Sequence, residues 1–270
     1  MKLKNLFKAT LVILMAFICT EKNFAKEFKV ITYNVEFGKN TSPQAVSQLL
    51  QSEQADIICF NEVPVKGWTK KVGQILGLKY SYEGDIASAN HAKEFKDKTG
   101  KYYGKYKSIL SKFPLENPHE IPLEGTGWSP ASAVVANVNI DKKNSVQIFS
   151  LHIPSGASDP ANSKAQQLSK VIENKYNGSD KIILAGDFND LYDSKPLSYF
   201  YNIGFSNSWK ALGMDMKDRT TYCYPKKFED TVIDHIFFKG LKIKSAEIIE
   251  EKEKLQSDHK PIWSVFELQK

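Results

Sequence analysis

Apolar residues occur along this chain in short runs, and the spacing of these runs predicts alternating strands and helices. Runs of about four to eight apolar residues are typical of buried strands, whereas apolar positions at helical spacing indicate amphipathic helices. The predicted strands cover residues 28–35, 56–63, 107–111, 131–140, 145–152, 181–186, 231–238 and 261–268. The predicted helices cover residues 43–53, 68–78 and 163–176. With no repeat or linker between them, these elements predict one α/β domain built from layered sheets.

The first 25 residues follow a different pattern, which is typical of a secretory signal peptide. A basic start with three lysines is followed by the apolar stretch Leu11–Cys19, and then by polar residues and Ala25. The apolar stretch is too short to span a bilayer comfortably. We therefore expect a signal peptide over residues 1–25, a folded domain over residues 26–270, and a secreted or periplasmic protein. Lipid anchoring at Cys19 is a less favoured alternative.

Composition and charge narrow the classes of protein that remain. Hydrophobic residues make up 41% of the chain, which excludes disorder over most of its length. The formal charge of +6 falls to +3 when the four lysines and one glutamate of residues 1–25 are removed. A mildly basic domain permits an anionic substrate but does not require nucleic acid. Cys59 and Cys223 show neither a disulfide framework nor zinc-ligand spacing, and the apolar run around Cys59 predicts a buried free thiol.

Groups that bind metal ions or transfer protons stand at the ends of the apolar runs. One such residue alone is more typical of a turn that ends a strand. Here the feature recurs at six strands, and in α/β proteins strand ends converge on a site. The residues are Asn34, Glu62, His152, Asp187 with Asn189, Asp234 with His235, and Asp258 with His259. We therefore expect these side chains to meet in one functional site.

The residue types in this set also indicate a class of reaction. Carboxylates and amides favour a hard divalent ion, with Mg²⁺ the first choice and Mn²⁺ or Ca²⁺ as alternatives. Histidines are suited to acid–base chemistry near neutral pH. The sequence contains no nucleophilic serine elbow, no cysteine beside a histidine and no Walker-type phosphate loop. The combination predicts attack by water on a phosphoester that a metal ion activates.

Six segments of the chain together resemble the ordered motif set of the endonuclease/exonuclease/phosphatase superfamily. That group includes DNase-I-like nucleases, abasic-site endonucleases, neutral sphingomyelinases and inositol-polyphosphate phosphatases. The segments are TYNV at 32–35, ICFNEV at 58–63, SLH at 150–152, GDFN at 186–189, IDHIF at 233–237 and SDHKPI at 257–262. Residues 107–114 also look like the family's central strand and turn. The resemblance extends from about residue 28 to residue 268.

The resemblance implies the fold and the metal ligands of a metal-dependent phosphoric ester hydrolase. The fold would be a four-layered α/β sandwich, in which helices flank two mixed β-sheets and the catalytic site of the 26–270 domain lies at one edge. Glu62 would be the main metal ligand, and Asn34 would belong to the coordination shell of the same ion. Asp258 would assist the same ion or a second one. Glu36, which stands where abasic endonucleases carry an aspartate, is a further candidate ligand.

The resemblance also implies catalytic roles. Asp187 and Asn189 would orient the attacking water and the phosphate. His259, paired with Asp234, would act as a base or stabilise the pentavalent phosphorane, since a carboxylate fixes the imidazole tautomer and raises its basicity. His152 would hydrogen-bond a phosphate oxygen or protonate the leaving group.

Two positions depart from the family pattern. Asn61 stands where relatives usually carry glutamine, which is a longer amide with the same chemistry. His235 often corresponds to tyrosine in relatives. A histidine inside a strand is more often satisfied by a neighbour than active in a site, so we favour a structural role for His235.

The sequence indicates the class of reaction more closely than it indicates the substrate. Secretion leaves nucleic acid, a phospholipid headgroup, or a soluble sugar or inositol phosphate. Lysines interleaved with tyrosines occupy residues 93–107, where they could follow a nucleic-acid backbone and stack on bases, although a solvated surface loop is the alternative. Tyr103, Lys105 and Lys107 are the candidate substrate contacts. Trp68 and Trp128 could contact lipid, but isolated tryptophans are more typical of a core or a pocket wall.

Nucleic acid is therefore the favoured substrate, and a sphingomyelinase-like or inositol-phosphate phosphoesterase is the alternative. A catalytically inactive binding module of the same fold is a further alternative, which predicts gaps among the metal and histidine positions. No such gap is present in the sequence. We expect a monomer without an obligate protein partner.

Overall fold

Two six-stranded sheets form the centre of the computed structural model, which describes residues 26–87, 104–154, 159–223, 231–251 and 256–268. The strands are β1 (Glu27–Asn34), β2 (Ile57–Val63), β3 (Tyr80–Glu83), β4 (Tyr106–Ser111), β5 (Leu115–Leu123), β6 (Ala131–Asn139), β7 (Ser145–His152), β8 (Ile182–Asp187), β9 (Ser206–Asn207), β10 (Asp234–Lys239), β11 (Lys242–Ile248) and β12 (Ile262–Glu267). The helices are α1 (Pro43–Leu50), α2 (Trp68–Leu76), α3 (Lys164–Lys175), α4 (Ser198–Asn202) and α5 (Ser208–Ala211). The predicted signal peptide and Tyr103 lie outside the described residues.

Each sheet contains one parallel pair of strands at its centre. The first sheet has the order β11-β12-β1-β2-β4-β3, and the second has the order β5-β6-β7-β8-β10-β9. Strands β1 and β2 run parallel up to the pair Asn34–Asn61, and β7 and β8 run parallel up to His152–Asp187. The other pairings are antiparallel. The carboxyl ends of each parallel pair therefore carry polar residues to one edge of its sheet.

Apolar side chains cover both faces of the central strands, which explains their uninterrupted apolar runs. In β1, Val30 faces the core between the sheets, whereas the next residue, Ile31, packs towards α1 and α2. Helices α3 and α4 cover the outer face of the second sheet through residues such as Leu168 and Phe200. The order of layers is helix, sheet, sheet, helix. The predicted four-layered α/β sandwich is confirmed.

Local signals set the helix boundaries close to the predicted positions. Ser42 caps α1 by accepting a hydrogen bond from the backbone nitrogen of Ala45 at 3.2 Å, and Ser163 caps α3 in the same way. The predicted helix 43–53 is α-helical to Leu50 and continues as a 3₁₀ turn. Helix α2 ends at Gly77, whose φ of 75° suits glycine. Among the described helices, none is long and apolar enough to cross a membrane.

The pattern of apolar runs failed to predict four strands, β3, β5, β9 and β11. All four are edge strands of their sheets. Most positions of β5 are exposed or partly exposed, and Pro118 and Pro122 fall within it. An edge strand buries few side chains and tolerates proline, so it lacks the apolar run that identifies a central strand.

Hydrogen bonds from Asn61 on β2 connect the two sheets next to their polar edge. The side-chain nitrogen of Asn61 donates to the carbonyl of Leu151, and its Oδ1 accepts from the backbone nitrogen of Asp187 at 3.1 Å. Nearby, the hydroxyl of Ser150 donates to the carbonyl of Phe60 at 3.1 Å. All of these groups are buried. We call this set of hydrogen bonds the inter-sheet bridge.

We predict that Asn61→Ala lowers the free energy of unfolding by about 2–4 kcal/mol, because two buried strand groups lose their amide partner. Urea unfolding followed by circular dichroism measures the change. Asn174→Ala is the matched control, since Asn174 is exposed on α3 and its loss should change stability by less than about 0.5 kcal/mol. Equal effects of the two substitutions would contradict the importance of the bridge.

Candidate active site

A cleft of about 440 Å³ opens at the edge where the two parallel pairs end. It brings together six of the predicted catalytic and metal-binding residues: Glu62, His152, Asp187, Asn189, Asp258 and His259. A groove of similar size, about 460 Å³, lies near the start of β7, beside His119 and Tyr176. That groove is lined by one carboxylate, from Asp180, so its residues do not form a comparable chemical cluster.

His259 and Asp234 form the predicted pair. The Nδ1 of His259 lies 2.8 Å from Oδ2 of Asp234, and both side chains are buried. The backbone nitrogen of His259 donates to Oγ of Ser257 at 3.1 Å, which fixes the turn that carries the imidazole. With Nδ1 held by the carboxylate, Nε2 points towards Asp187, whose Oδ2 lies 3.6 Å away. Asp234 thus sets the tautomer and the direction of the ring.

The two histidines of the cleft have opposite charge preferences. Burial alone would lower the pKa of His259, but the carboxylates of Asp234 and Asp187 outweigh it and raise this pKa well above its usual value. Burial lowers the pKa of His152, and the ammonium groups of Lys105 and Lys107 lower it further. His259 is therefore cationic near neutral pH, whereas His152 is neutral. Such divergent pairs are typical of acid–base sites.

Asp187 stands between the two histidines and accepts hydrogen bonds on both oxygens. Its Oδ1 accepts from the backbone nitrogen of Asn189 at 2.9 Å, and its Oδ2 accepts from Nδ2 of Asn34 at 3.0 Å. Nε2 of His152 lies 3.4 Å from the same Oδ2. Burial raises the pKa of Asp187, although the imidazolium of His259 partly offsets this rise. A carboxylate with a raised pKa can take up a proton at neutral pH.

Glu36, Glu62 and Asp258, which we call the carboxylate cluster, fit a hard divalent cation. Burial raises the pKa of Asp258, and the negative charges of Glu36 and Glu62 raise it further. A bound cation would relieve the repulsion that raises the pKa of Asp258, and all the donors are oxygen atoms. Oε1 of Glu62 accepts a hydrogen bond from Lys105 at 2.9 Å, and the carboxylate of Glu36 contacts Lys39.

The backbone is strained at three residues of the site. Glu36, Glu62 and Asn189 have φ values of 44°, 53° and 52°, in the left-handed region that side chains other than glycine seldom adopt. Strain of this kind persists where the surrounding structure imposes it, and it concentrates at functional sites. The side-chain nitrogen of Asn189 donates to the carbonyl of Ile153 at 3.0 Å, which helps to hold that conformation.

Both polar atoms of the Asn34 amide form hydrogen bonds. Its Nδ2 donates to Asp187, and its Oδ1 accepts from the backbone nitrogen of Glu36 at 3.0 Å. Asn34 therefore links Glu36 to Asp187. Its predicted place in a metal shell stays a prediction.

The donor atoms of Asp187, Asp234 and His259 all lie within 4.8 Å of one another, and no other set of three acids, histidines or cysteines among the described residues is so closely spaced. In this group Asp234 already holds Nδ1 of His259. That hydrogen bond favours an acid–base pair over a metal centre, so the carboxylate cluster remains the better candidate for the ion.

Only Lys105 among the predicted substrate contacts lies in the cleft within the part of the chain that the structure describes. Its ammonium contacts Glu62 and stands 5.0 Å from the ring centre of Phe37. Lys107 corrects the expectation, because its side chain is fully buried and donates to the carbonyl of Ile86 at 2.9 Å. The alternation along β4 turns Lys107 inwards with Ile109, so it cannot meet a substrate from solvent. Tyr103 lies outside the described residues.

Aromatic residues that the sequence did not assign to the site complete the cleft. The ring of Trp128 lies 4.8 Å from His152, and the ring of Tyr222 lies 5.0 Å from His259. Both occur in connecting segments without a recognisable motif. The sequence analysis considered Trp128 as a core or pocket-wall residue, and it lines the cleft, whereas no local signal identified Tyr222. His235, by contrast, is buried outside the cleft lining, with Nε2 at 2.9 Å from the carbonyl of Asp190. Trp68 is buried in the outer core.

The family model described as the Endonuclease/Exonuclease/phosphatase family matches residues 31–259. The chain therefore belongs to the endonuclease/exonuclease/phosphatase family, as the motif set predicted. No curated protein sequence matches the chain.

Solved structures show the same fold at low sequence identity. The family protein from Bacteroides vulgatus superposes with a TM-score of 0.71 at 18% identity, covering 90% of this chain and 100% of that one. The D. rerio TDP2 complexed with a single-strand DNA product gives 0.68 at 16%, covering 89% and 99%. The human Nocturnin catalytic domain with a bound sulfate gives 0.70 at 15%, covering 90% and 95%. At these identities the likeness establishes the fold.

We predict that Asp234→Asn lowers the pKa of His259 by about 1–3 pH units, because the imidazolium loses an adjacent opposite charge. The measurement is a histidine NMR titration of the protein in EDTA. His119, which is exposed on β5, serves as an internal control whose pKa should not change. An unchanged pKa of His259 would contradict the pairing.

We also predict a pH-dependent stability effect from Lys107. Burial lowers its pKa to about 8, from 10.5 in the unfolded chain. Between these values the unfolded chain binds the proton and the folded chain does not, so stability rises with pH. From pH 7 to pH 10, the wild type should gain about 2–3 kcal/mol relative to Lys107→Met, as measured by urea unfolding. Lys112→Met, at an exposed lysine, should show no such difference from the wild type.

Proposed function

We propose that this protein is a divalent-metal-dependent phosphodiesterase that hydrolyses nucleic acid. The observation that carries the proposal is that one cleft is lined by His259, which the buried Asp234 holds, and by Glu62 and Asp258 of the carboxylate cluster. An acid–base pair and a site for a hard cation, without a covalent nucleophile, are the groups required for water to attack a phosphoester. Membership of the endonuclease/exonuclease/phosphatase family supports the same class of reaction.

The charge states support a proposed role for each side chain. The carboxylate cluster would hold a divalent ion, preferably Mg²⁺, which supplies positive charge to the phosphoryl oxygens. Asp187 and Asn189 orient the attacking water, and Asp187 takes up its proton because burial raises the carboxyl pKa. The cationic His259 stabilises the negative charge that develops on the phosphoryl group. The neutral His152 hydrogen-bonds a non-bridging oxygen or the leaving group.

Two observations favour nucleic acid as the substrate. The ammonium of Lys105 lines the cleft beside Glu62, where it would be available to contact a phosphate of the substrate. The D. rerio TDP2 structure, which shares the fold, holds a single-strand DNA product. We further propose that residues 1–25 direct secretion, so that the substrate is extracellular or periplasmic nucleic acid, and that the protein acts as a monomer.

We expect Glu62→Ala and His259→Ala each to lower turnover at least about a hundredfold without changing the fold, because each removes a group that acts in the transition state. The measurement is nicking of supercoiled plasmid DNA in Mg²⁺, Mn²⁺ or Ca²⁺, with EDTA as the metal-free comparison. Glu173→Ala and His119→Ala are the matched controls, since both residues are exposed and lie outside the cleft lining. Full activity in either site variant would refute the assignment of that residue.

The same assay, extended to RNA, sphingomyelin and inositol phosphates, tests the choice of substrate. Metal-dependent cleavage of DNA or RNA supports the proposal. Turnover of lipid or inositol phosphate with nucleic acid untouched would keep the mechanism and overturn the substrate. Absence of turnover on all four classes would favour a binding module with this fold.

A further inference from the structure

The segment between β5 and β6 places one tryptophan at the wall of the cleft. Trp128 is partly exposed, lines the cleft, and meets His152 edge to face at an angle of 61°. The phosphoester chemistry described above requires no group from an indole ring. A large apolar surface beside a polar site is therefore available for a part of the substrate other than its phosphate.

A buried lysine holds this segment in place. Lys164, the first residue of α3, has no exposed surface. Its Nζ donates to the carbonyl of Gly125 at 2.7 Å and to Oγ of Ser129 at 3.2 Å, on either side of Trp128. Within the described ranges, no carboxylate pairs with this ammonium. A buried charge is costly unless it is hydrogen-bonded, so Lys164 stabilises the segment only in this conformation.

The backbone of the same segment is also hydrogen-bonded to the residues that precede α3. The nitrogen of Thr126 donates to the carbonyl of Asn162 at 2.8 Å. Gly125 has a φ of 115°, and a Cβ at this position would lie 2.4 Å from that same carbonyl oxygen. Only glycine permits so close an approach. Hydrogen bonds therefore hold the segment that carries Trp128 at the wall of the cleft.

Tyr222 provides a second aromatic ring in the same cleft, next to His259. The two rings thus lie beside the two histidines between which Asp187 stands. A substrate whose phosphate occupies this centre would carry its neighbouring groups past an aromatic surface. Planar, polarisable groups gain most from such contact, and nucleobases are groups of this kind in a phosphodiester chain.

We propose that Trp128 forms a stacking subsite for the nucleobase adjacent to the scissile phosphate, and that Lys164 is a positioning residue that holds the indole in place. The subsite rests on the proposed function, because it requires a phosphoester bound at the histidines. The subsite would make the protein bind nucleoside phosphates more tightly than phosphates that lack a base.

The test compares adenosine 5′-monophosphate with ribose 5-phosphate, which share a phosphate and differ by the base. Isothermal titration calorimetry in Mg²⁺ gives both dissociation constants without a turnover assay. For the wild type, we expect the nucleotide to bind at least about fivefold more tightly than the sugar phosphate. In Trp128→Leu this ratio should fall towards one, whereas Trp128→Phe, which keeps a ring, should retain most of it.

Matched controls separate stacking and positioning from general damage. Lys164→Met should lower the ratio of the two dissociation constants, and Lys170→Met, at an exposed lysine of the same helix, should leave it unchanged. Trp263→Leu removes a partly buried indole from a different groove and should also leave the ratio unchanged. Far-UV circular dichroism establishes that each variant is folded. If Trp128→Leu does not fold, the ratio in the wild type tests the subsite. The ratios in Trp128→Phe and Lys164→Met then test whether the preference depends on the ring and on the lysine.

Equal binding of the two ligands by the wild type would overturn the subsite, and so would a full ratio in folded Trp128→Leu. A ratio that survives Lys164→Met would overturn the positioning role of that lysine. Failure of the proposed function gives a different result. In that case the wild type would not cleave nucleic acid in the metal screen, while the preference for the nucleotide and its loss in Trp128→Leu would still support the aromatic subsite.

Discussion

The inter-sheet bridge is the interaction on which the geometry of the cleft depends. Burial of apolar surface holds the two sheets together, but it is not directional and does not determine how their edges align. The amide of Asn61 has a donor and an acceptor, so one side chain binds both the Leu151 carbonyl and the Asp187 nitrogen. Because Glu62 directly follows Asn61, the same contacts set the position of a candidate metal ligand relative to Asp187. Asn34 adds a second link to Asp187 from the neighbouring strand.

The site combines strain, burial and charge in a way that an apolar core alone would not stabilise. Three of its residues have a left-handed backbone, and its carboxylates and imidazoles are largely buried. Each feature costs free energy, which the packing of the sheets and the hydrogen bonds around the site offset. The arrangement places a cationic histidine and a neutral histidine on either side of Asp187. A preorganised site of this kind need not rearrange when negative charge develops on a bound phosphate.

Prediction from the sequence succeeded for the central strands and failed for the edges. A strand that is covered on both faces needs apolar residues at consecutive positions, so β2 and β8 are recognisable without a structure. The edge strands β3, β5, β9 and β11 bury few side chains and left no comparable run. Lys107 shows a related failure, since its position next to a lysine-rich segment indicated exposure while the period of β4 turned it inwards. Charge along a sequence does not reveal which face of a strand a residue occupies.

By itself, the sequence determined the layered α/β class, the central strands, the family motifs and the set of acids, amides and histidines at strand ends. These features depend on local periodicity and on residue type, which can be read from neighbouring positions. The tertiary structure decided which of these groups meet, as Asp187 meets His259 and Trp128 meets His152. It also decided the charge states, because a pKa depends on burial and on partners distant along the chain. The tertiary structure also decided that Lys164 holds the segment around Trp128, since the two come together only when α3 packs beside the segment that precedes β6.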